Sequence, residues 1–543
     1  MSCLPRVHRR TPCTSKCAPQ VPADDQIMKK LPIGIQSFEK ICQNDFYYVD
    51  KTPFIKKLMD EGGGYYFLSR PRRFGKSLFL DTLRQAFLCK KELFQGLYLE
   101  NNWRWDRKYP VIYISFGSGI HRSLDEFMET ENVILQEYAN EYDISLSYKN
   151  IKDRFFELIK KIHKKFDEKV VVLIDEYDKP ILDNIHNREV AGSIRDELKN
   201  FYSVLKDADP YVRFVFITGV SKFSKVSIFS GLNNLDDISL SKEYATICGY
   251  TQTEFETVFE DRLNGLDLSS IKKWYNGYSW LGERVYNPFD ILLYLSKLDF
   301  RPYWFETGTP TFLIKLLVEK KYLIPELEEL EASEGIVSSF DMESIEPETL
   351  LFQTGYLTIK SLEHAGATRI YTLVPPNIEV KSSLSDFILD YLCNARGKKE
   401  KNLIKIYRLL SKNRLSDLKE VFSSFFASIP SDWYRKNELS GYEGYYASIF
   451  YCYFSALGLD IKVEDATNYG RLDMAVFFND RAYIFEFKVV EMFSQGKAME
   501  QLKSKRYYEK YLDKYREVFL IGVEFSKKER NITGFDIEKY KSC

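Results

Sequence analysis

The chain has 543 residues, 45% of them hydrophobic and 29% charged, with a formal net charge of −1. This length exceeds one ordinary core and points to about three or four domains, and the composition excludes a disordered or fibrous protein. The near-zero charge excludes a global attraction to nucleic acid, so any such surface must be a local basic patch.

Residues 1–27 are polar and basic without an apolar core segment, so they read as a flexible leader rather than a secretory signal. Met28-Lys29-Lys30-Leu31-Pro32 reads as a second natural beginning. The nine Cys are scattered without metal spacing, which fits a reduced, cytoplasmic protein. No apolar run approaches the ~18 residues a membrane span needs. The 38 Tyr and 40 Phe are expected in large aromatic cores.

Residues 28–250 read as one α/β unit. Gly34–Ile41 and Phe46–Leu58 read as a short adaptor, with Thr52 as N-cap and Pro53 opening a helix. The unit centres on an aromatic strand, Tyr65–Ser69, that runs through Arg70-Pro71-Arg72-Arg73-Phe74-Gly75-Lys76-Ser77 into a helix ending at Phe87. Strand, tight basic turn and helix are what a phosphate loop requires. Backbone N–H groups of Arg73–Ser77 and the Lys76 ammonium would meet the phosphates of ATP, and the Ser77 hydroxyl its Mg²⁺. A full Walker A pattern would have Gly where Arg70 stands.

Pro110–Phe116 reads as a second strand, followed by helices from Leu124 to about Lys165. Lys169–Ile174 is a continuous β-branched run, the mark of a strand buried on both faces, and it ends in Asp175-Glu176. In that position Asp175 would hold the Mg²⁺ shell and Glu176 would polarise the attacking water. A further strand, Val212–Ile217, ends in Thr218-Gly219-Val220-Ser221-Lys222. Thr218 and Ser221 are candidate γ-phosphate sensors, and Lys222 or Lys225 candidate charge stabilisers. An ordinary strand-to-loop turn explains each equally well.

Residues 251–415 read as a helical lid and connecting module. Trp274-Tyr275-Asn276-Gly277-Tyr278 and Tyr303-Trp304 are packed aromatic turns with no derivable chemistry. Helices are expected over Leu313–Leu323 and Leu384–Leu410, and a hairpin over Gln353–Ile359 and Arg369–Val374. Basic residues gather at Arg396–Arg414 and Lys497–Arg516, where interleaved acids make solvated helix faces an equally good account.

Residues 416–543 carry a second constellation. Gly470–Phe478 and Ala482–Lys488 read as a hairpin that places Glu486 and Lys488 on one face, beside Asp473. Carboxylates and an ammonium on a buried face are costly unless they serve a metal. Asp473 and Glu486 would ligate Mg²⁺, and Lys488 would orient or deprotonate water for attack on a phosphodiester. Glu443, on a helix over Leu439–Leu457, and Gln501, on a helix around Ala498–Tyr511 with Tyr507, would reach the same site. Glu464 lies in the strand between.

These motifs, with Tyr48-Val49-Asp50-Lys51-Thr52, resemble bacterial AAA-ATPase-like proteins with a C-terminal PD-(D/E)XK nuclease-like domain. The resemblance spans about residue 30 to the end. It implies a P-loop α/β domain with a helical lid, then a restriction-endonuclease-like α/β domain, and that Arg70 is normal at its position. An ATP-dependent, Mg²⁺-dependent nuclease acting on DNA is expected. The alternative is a nucleotide-dependent switch whose last domain binds nucleic acid or protein without cleaving.

Overall fold

The computed structural model describes residues 28–222, 228–229, 232–304, 313–314, 316–317, 320, 322–338, 346–392, 396–429, 443–467 and 470–541. Lys225 and the leader fall outside these residues, as do positions 315, 318, 319 and 321 of the expected Leu313–Leu323 helix, and the Glu464 side chain is not among those described.

The first sheet forms from the apolar, β-branched and aromatic runs: β1 (Tyr65–Ser69), β2 (Val111–Ser115), β3 (Val170–Asp175), β4 (Val212–Gly219) and the two-residue β5 (Asp236–Asp237). All pairings are parallel, in the order β2-β3-β4-β1-β5. Every residue of β3 is buried, as its unbroken Val-Val-Val-Leu-Ile run requires with helices on both faces. β4 lies between β1 and β3, so the ends of the phosphate-loop strand and the acidic strand flank Thr218. The side chains expected to carry ligand chemistry are thereby gathered at the carboxyl edge of the sheet.

Thr52 is not the N-cap of its helix. Lys51 is, and Thr52 opens Thr52–Asp60, its N–H bonded to Asp50 Oδ1 at 2.8 Å. The adjacent Asp side chain serves the helix start better than the Thr hydroxyl, which instead accepts the Leu99 N–H at 3.1 Å.

The segment expected to form a lid combines helices Gln252–Val258, Leu268–Tyr275 and Pro288–Lys297 with a small sheet of β6 (Tyr250–Thr251), β7 (Asn276–Tyr278) and β8 (Val285–Tyr286). Its core also takes in Tyr47 and Val49 of the adaptor. The connecting module holds β9 (Leu330–Ser333), β10 (Thr358–Ala365) and β11 (Thr368–Val374) in the order β10-β11-β9. Gln353 and Thr354 do not open the hairpin as expected; they end the helix Pro347–Thr354, which Gly355 stops at φ 94°. The expected Leu384–Leu410 helix is two, Ile378–Leu392 and Arg396–Ser411. Periodicity alone does not show such a break.

The last sheet runs β12 (Asp460–Thr467), β13 (Gly470–Phe478), β14 (Arg481–Val490), β15 (Glu517–Ser526) and β16 (Asn531–Lys541) in sequence order, parallel only between β14 and β15. One face carries Met474, Val476, Phe485, Phe487, Val523 and Phe525, buried together with helices Leu418–Phe426 and Glu443–Ala456. Phe422 stacks on Phe450 with ring centroids at 3.7 Å, and Tyr446 on Phe525 at 4.0 Å, where much of the aromatic content resides. The other face, starting from Ala475, Ile484 and Leu520, packs against helices Lys497–Lys505 and Glu509–Leu512. These replace the single expected helix, broken where Arg506 turns to φ 46°.

Candidate functional site

The turn after β1 needs two left-handed residues, Arg73 at φ 70° and Gly75 at φ 91°. Gly75 adopts this without steric conflict and is the N-cap of Lys76–Phe87, with no side-chain hydrogen bond to the helix start. Gly75, Lys76 and Ser77 line a cavity of about 1070 Å³, together with Lys51, Arg72, Arg73, Phe74, Glu176 and Lys179. A helix start and several cations around one carboxylate make a setting for a polyanion.

Arg70 takes no place in that cavity. It is 1% exposed and donates to the carbonyls of Ser69 and Ser239, each at 2.8 Å, and of Tyr244 at 3.2 Å. Its guanidinium lies 4.1 Å from the centroid of the Trp280 ring. Burial lowers its pKa to about 10, so it stays charged at neutral pH. A Gly here could do none of this; the arginine is a strut under the loop.

Phe74 is held edge-on by Tyr278 and Trp280, at 4.7 and 5.3 Å. The Trp274–Tyr278 motif thus clamps the loop from the lid side. Gly277, at φ 133°, sits so close to Pro376 that a Cβ would lie 1.9 Å from its carbonyl oxygen. Arg73 stacks on Phe289 of the lid, 3.7 Å from the ring centroid. Lys76 is buried and donates to the Arg70 and Pro71 carbonyls at 2.9 and 3.0 Å, and burial depresses its pKa.

Asp175 accepts the Thr218 hydroxyl at 2.5 Å on one oxygen and the Tyr113 hydroxyl at 3.3 Å on the other. It is 2% exposed, and Thr218 is fully buried. Glu176, at φ 53°, turns into the cavity, and burial, then the Asp175 charge, raises its pKa. Ser221 is not placed as a phosphate sensor, since its hydroxyl is given to Asp178 at 2.5 Å within the fold. Lys222 is likewise paired with Asp237 at 2.5 Å.

In the last domain, alternation puts Asp473, Glu486 and Lys488 on the face that meets Lys497–Lys505. Asp473 accepts the Phe487 N–H at 2.8 Å. Glu486 is fully buried, its Oε1 bonded to Gln501 Nε2 and 3.6 Å from Lys488 Nζ. Glu443 reaches in from the start of its helix, 3.5 Å from Lys488 Nζ and accepting the Val489 N–H at 3.1 Å. All five expected side chains meet here. Burial first, then the Asp473 charge, pushes the Glu486 carboxyl up to about 8. Burial works to lower the Lys488 pKa, but Glu443, Glu486 and Asp473 outweigh it, so the group is a firm ammonium.

Glu486 Oε2 is buried with no hydrogen-bond partner among the described residues. An orphan carboxylate oxygen beside a second carboxylate fits a divalent cation that takes one or two carboxylates and keeps its waters. Among the described residues no group of three His, Cys, Asp or Glu side chains gathers for a metal, so water would complete the shell.

Residues 32–229 match the family described as Predicted AAA-ATPase, and residues 441–535 the PD-(D/E)XK nuclease superfamily. The chain is also 51% identical over 511 residues to "Uncharacterized protein in vnfD 5'region" of Azotobacter chroococcum mcd 1, covering 94% of this chain and 99% of that protein. The chain belongs to the AAA-ATPase-like family with a C-terminal PD-(D/E)XK nuclease-superfamily domain.

Three features of this AAA-ATPase-like chain escape sequence reasoning. Glu524 on β15, 1% exposed, accepts from the Ser494 hydroxyl and the N–H groups of Gln495, Gly496 and Ala498 at 2.6–3.3 Å. It anchors the start of the helix that delivers Gln501. Gly522, paired with Glu486, has no Cβ because one would lie 2.7 Å from the Met499 nitrogen of that helix. Both residues follow the period-2 pattern of β15, but the helix they serve is distant from it in sequence. The third is Lys51, bonded to the Thr246 carbonyl and to both Glu254 oxygens at 2.7–2.8 Å, tying the adaptor to the lid.

No helix among the described residues is long and apolar enough to cross a membrane.

Proposed function

We propose that the chain is an ATP-binding and ATP-hydrolysing protein coupled to a Mg²⁺-dependent nuclease that cleaves DNA. The observation that carries this is the convergence of Asp473, Glu486, Lys488, Glu443 and Gln501 on one partly buried patch, with an unpaired oxygen on the buried Glu486 carboxyl. Lys76 and the backbone of Arg73, Phe74, Gly75 and Ser77 hold the triphosphate. Ser77 and Asp175 would hold its Mg²⁺, with Asp175 oriented by the Thr218 and Tyr113 hydroxyls. Glu176 orients the attacking water, and Thr218 fixes Asp175. At the second site Asp473 and Glu486 hold a Mg²⁺, which polarises the scissile phosphate when bound. Lys488, kept as an ammonium by its neighbours, orients water and stabilises developing negative charge rather than removing a proton. Glu443 and Gln501 fix Lys488 and Glu486.

The test is cleavage of linear and circular DNA by the purified chain in Mg²⁺, with and without ATP. Asp473→Ala should abolish cutting and Lys76→Ala should change its ATP dependence. No cleavage by any form, with ATP turned over by wild type, sinks the nuclease and leaves the switch. A Glu176→Gln variant with unchanged nuclease activity would mean that ATP is bound at the first site without driving the second.

A further inference from the structure

The loop that joins β14 to the Gln501 helix, residues 491–496, is held by hydrogen bonds on both sides of Phe493. The Glu491 carbonyl accepts the Lys528 N–H at 3.3 Å, and the Met492 carbonyl accepts the Thr533 hydroxyl at 3.4 Å. Ser494, Gln495 and Gly496 all donate to Glu524. Gly534 makes room for Ser494, whose oxygen would lie 2.4 Å from a Cβ there. Out of this pinned loop Phe493 projects into water, 70% exposed, with Met492 beside it at 36%.

The loop that carries this ring is tied to Glu524, one strand over from the carboxylate site. Glu524 is the register partner of Lys488 on the neighbouring strand, about 4.8 Å away along the sheet. The loop leaves β14 just after Lys488, and Gln501 follows on the next helix. Lys497, Lys527 and Lys528 are exposed on the same rim, with Glu491 and Glu529 as its acids and Glu491 paired to Lys527. A rigid exposed aromatic with cations around it, next to a phosphodiester site, is the combination that stacks a base while the backbone is held by charge.

We propose that Phe493 stacks on an unpaired base next to the scissile phosphate. The substrate class is then a nucleic acid with a single-stranded nucleotide at the site, such as a strand end, gap or flap, rather than intact duplex. This rests on the nuclease reading above. The substrate must present the flat face of a base, which base pairs inside a helix do not offer.

The experiment is fluorescence-anisotropy binding of a labelled single-stranded DNA oligonucleotide and of the same sequence as blunt duplex, to the full chain in Ca²⁺ in place of Mg²⁺. Wild type should prefer the single strand. Phe493→Ala should weaken single-strand binding by about fivefold to a hundredfold, the effect of losing one stacked base. Its duplex binding should stay within about twofold, and Phe493→Trp should restore the preference. Equal loss on both substrates, or none on either, overturns the stacking role while the nuclease reading stands. No binding of either substrate by wild type overturns both.

Discussion

Glu486 shows how much one buried carboxyl can set the behaviour of a site. Its raised pKa means that the metal-free folded chain keeps a proton that the unfolded chain loses above 4.5. Without metal, this group therefore makes stability fall as pH rises from 4.5 to about 8. A cation held there as proposed would have to displace that proton. Mg²⁺ affinity in titration calorimetry should rise by up to about tenfold per pH unit below 8 and flatten above it. Glu486→Gln should bind weakly and without this slope; a slope that persists in the variant would assign the proton elsewhere. At this scale the sequence was generous. Asp473, Glu486 and Lys488 follow from strand parity, and Glu443 and Gln501 from helices flanking the hairpin. Thr218 was found for the wrong partner, since parity at a strand end does not say whether a hydroxyl meets a ligand or the next strand's carboxylate. The role of Arg70 was invisible, because its partners are the carbonyls of Ser239 and Tyr244, about 170 residues away.

At the scale of elements, the Lys497–Lys505 helix depends on Glu524. Burial pushes the Glu524 pKa up, but the N–H groups of Gln495, Ala498 and Gly496 and the Ser494 hydroxyl outweigh it and hold it below 4.5. A depressed carboxyl contributes stability above its unfolded pKa and loses it as pH falls through the folded one. Glu524→Gln should therefore be less stable than wild type by about 1–3 kcal/mol at neutral pH. In urea denaturation that gap should close below 4.5. A gap that does not change with pH would mean the carboxylate's charge is not what holds the helix start. Strands were the most legible elements: β1, β3, β4, β13 and β14 stand within about two residues of their expected limits. Helix ends were less so. The break at Arg506 lacks the Gly or Pro that marks a stop, and the Thr52 cap gave way to a neighbouring Asp.

Across the whole molecule, the helix Ile378–Leu392 of the connecting module packs along Glu443–Ala456 of the nuclease-superfamily domain, with Ser385 and Ser455 hydroxyls 2.9 Å apart. Tyr446, Ile449, Phe450, Tyr453 and Phe454 are all buried, so the second helix is apolar almost all round. A fragment of residues 416–543 would uncover the side that Ile378–Leu392 covers. It should aggregate on size-exclusion chromatography, whereas a fragment of residues 378–543 should elute as a defined species; a well-behaved shorter fragment would show that this packing is dispensable. No periodicity reveals such an arrangement, because an all-apolar helix does not say which element lies on which side.

Gly277 and Pro376 touch with no room for even a methyl group between them. That contact welds the lid to the connecting module just before Ile378–Leu392 begins, and so leaves no hinge there. If ATP moves Arg73 and Phe289, the lid and that helix turn as one lever, with its far arm lying along the helix whose first residue is Glu443. The fulcrum then belongs on the adaptor side, where Lys51 grips Glu254.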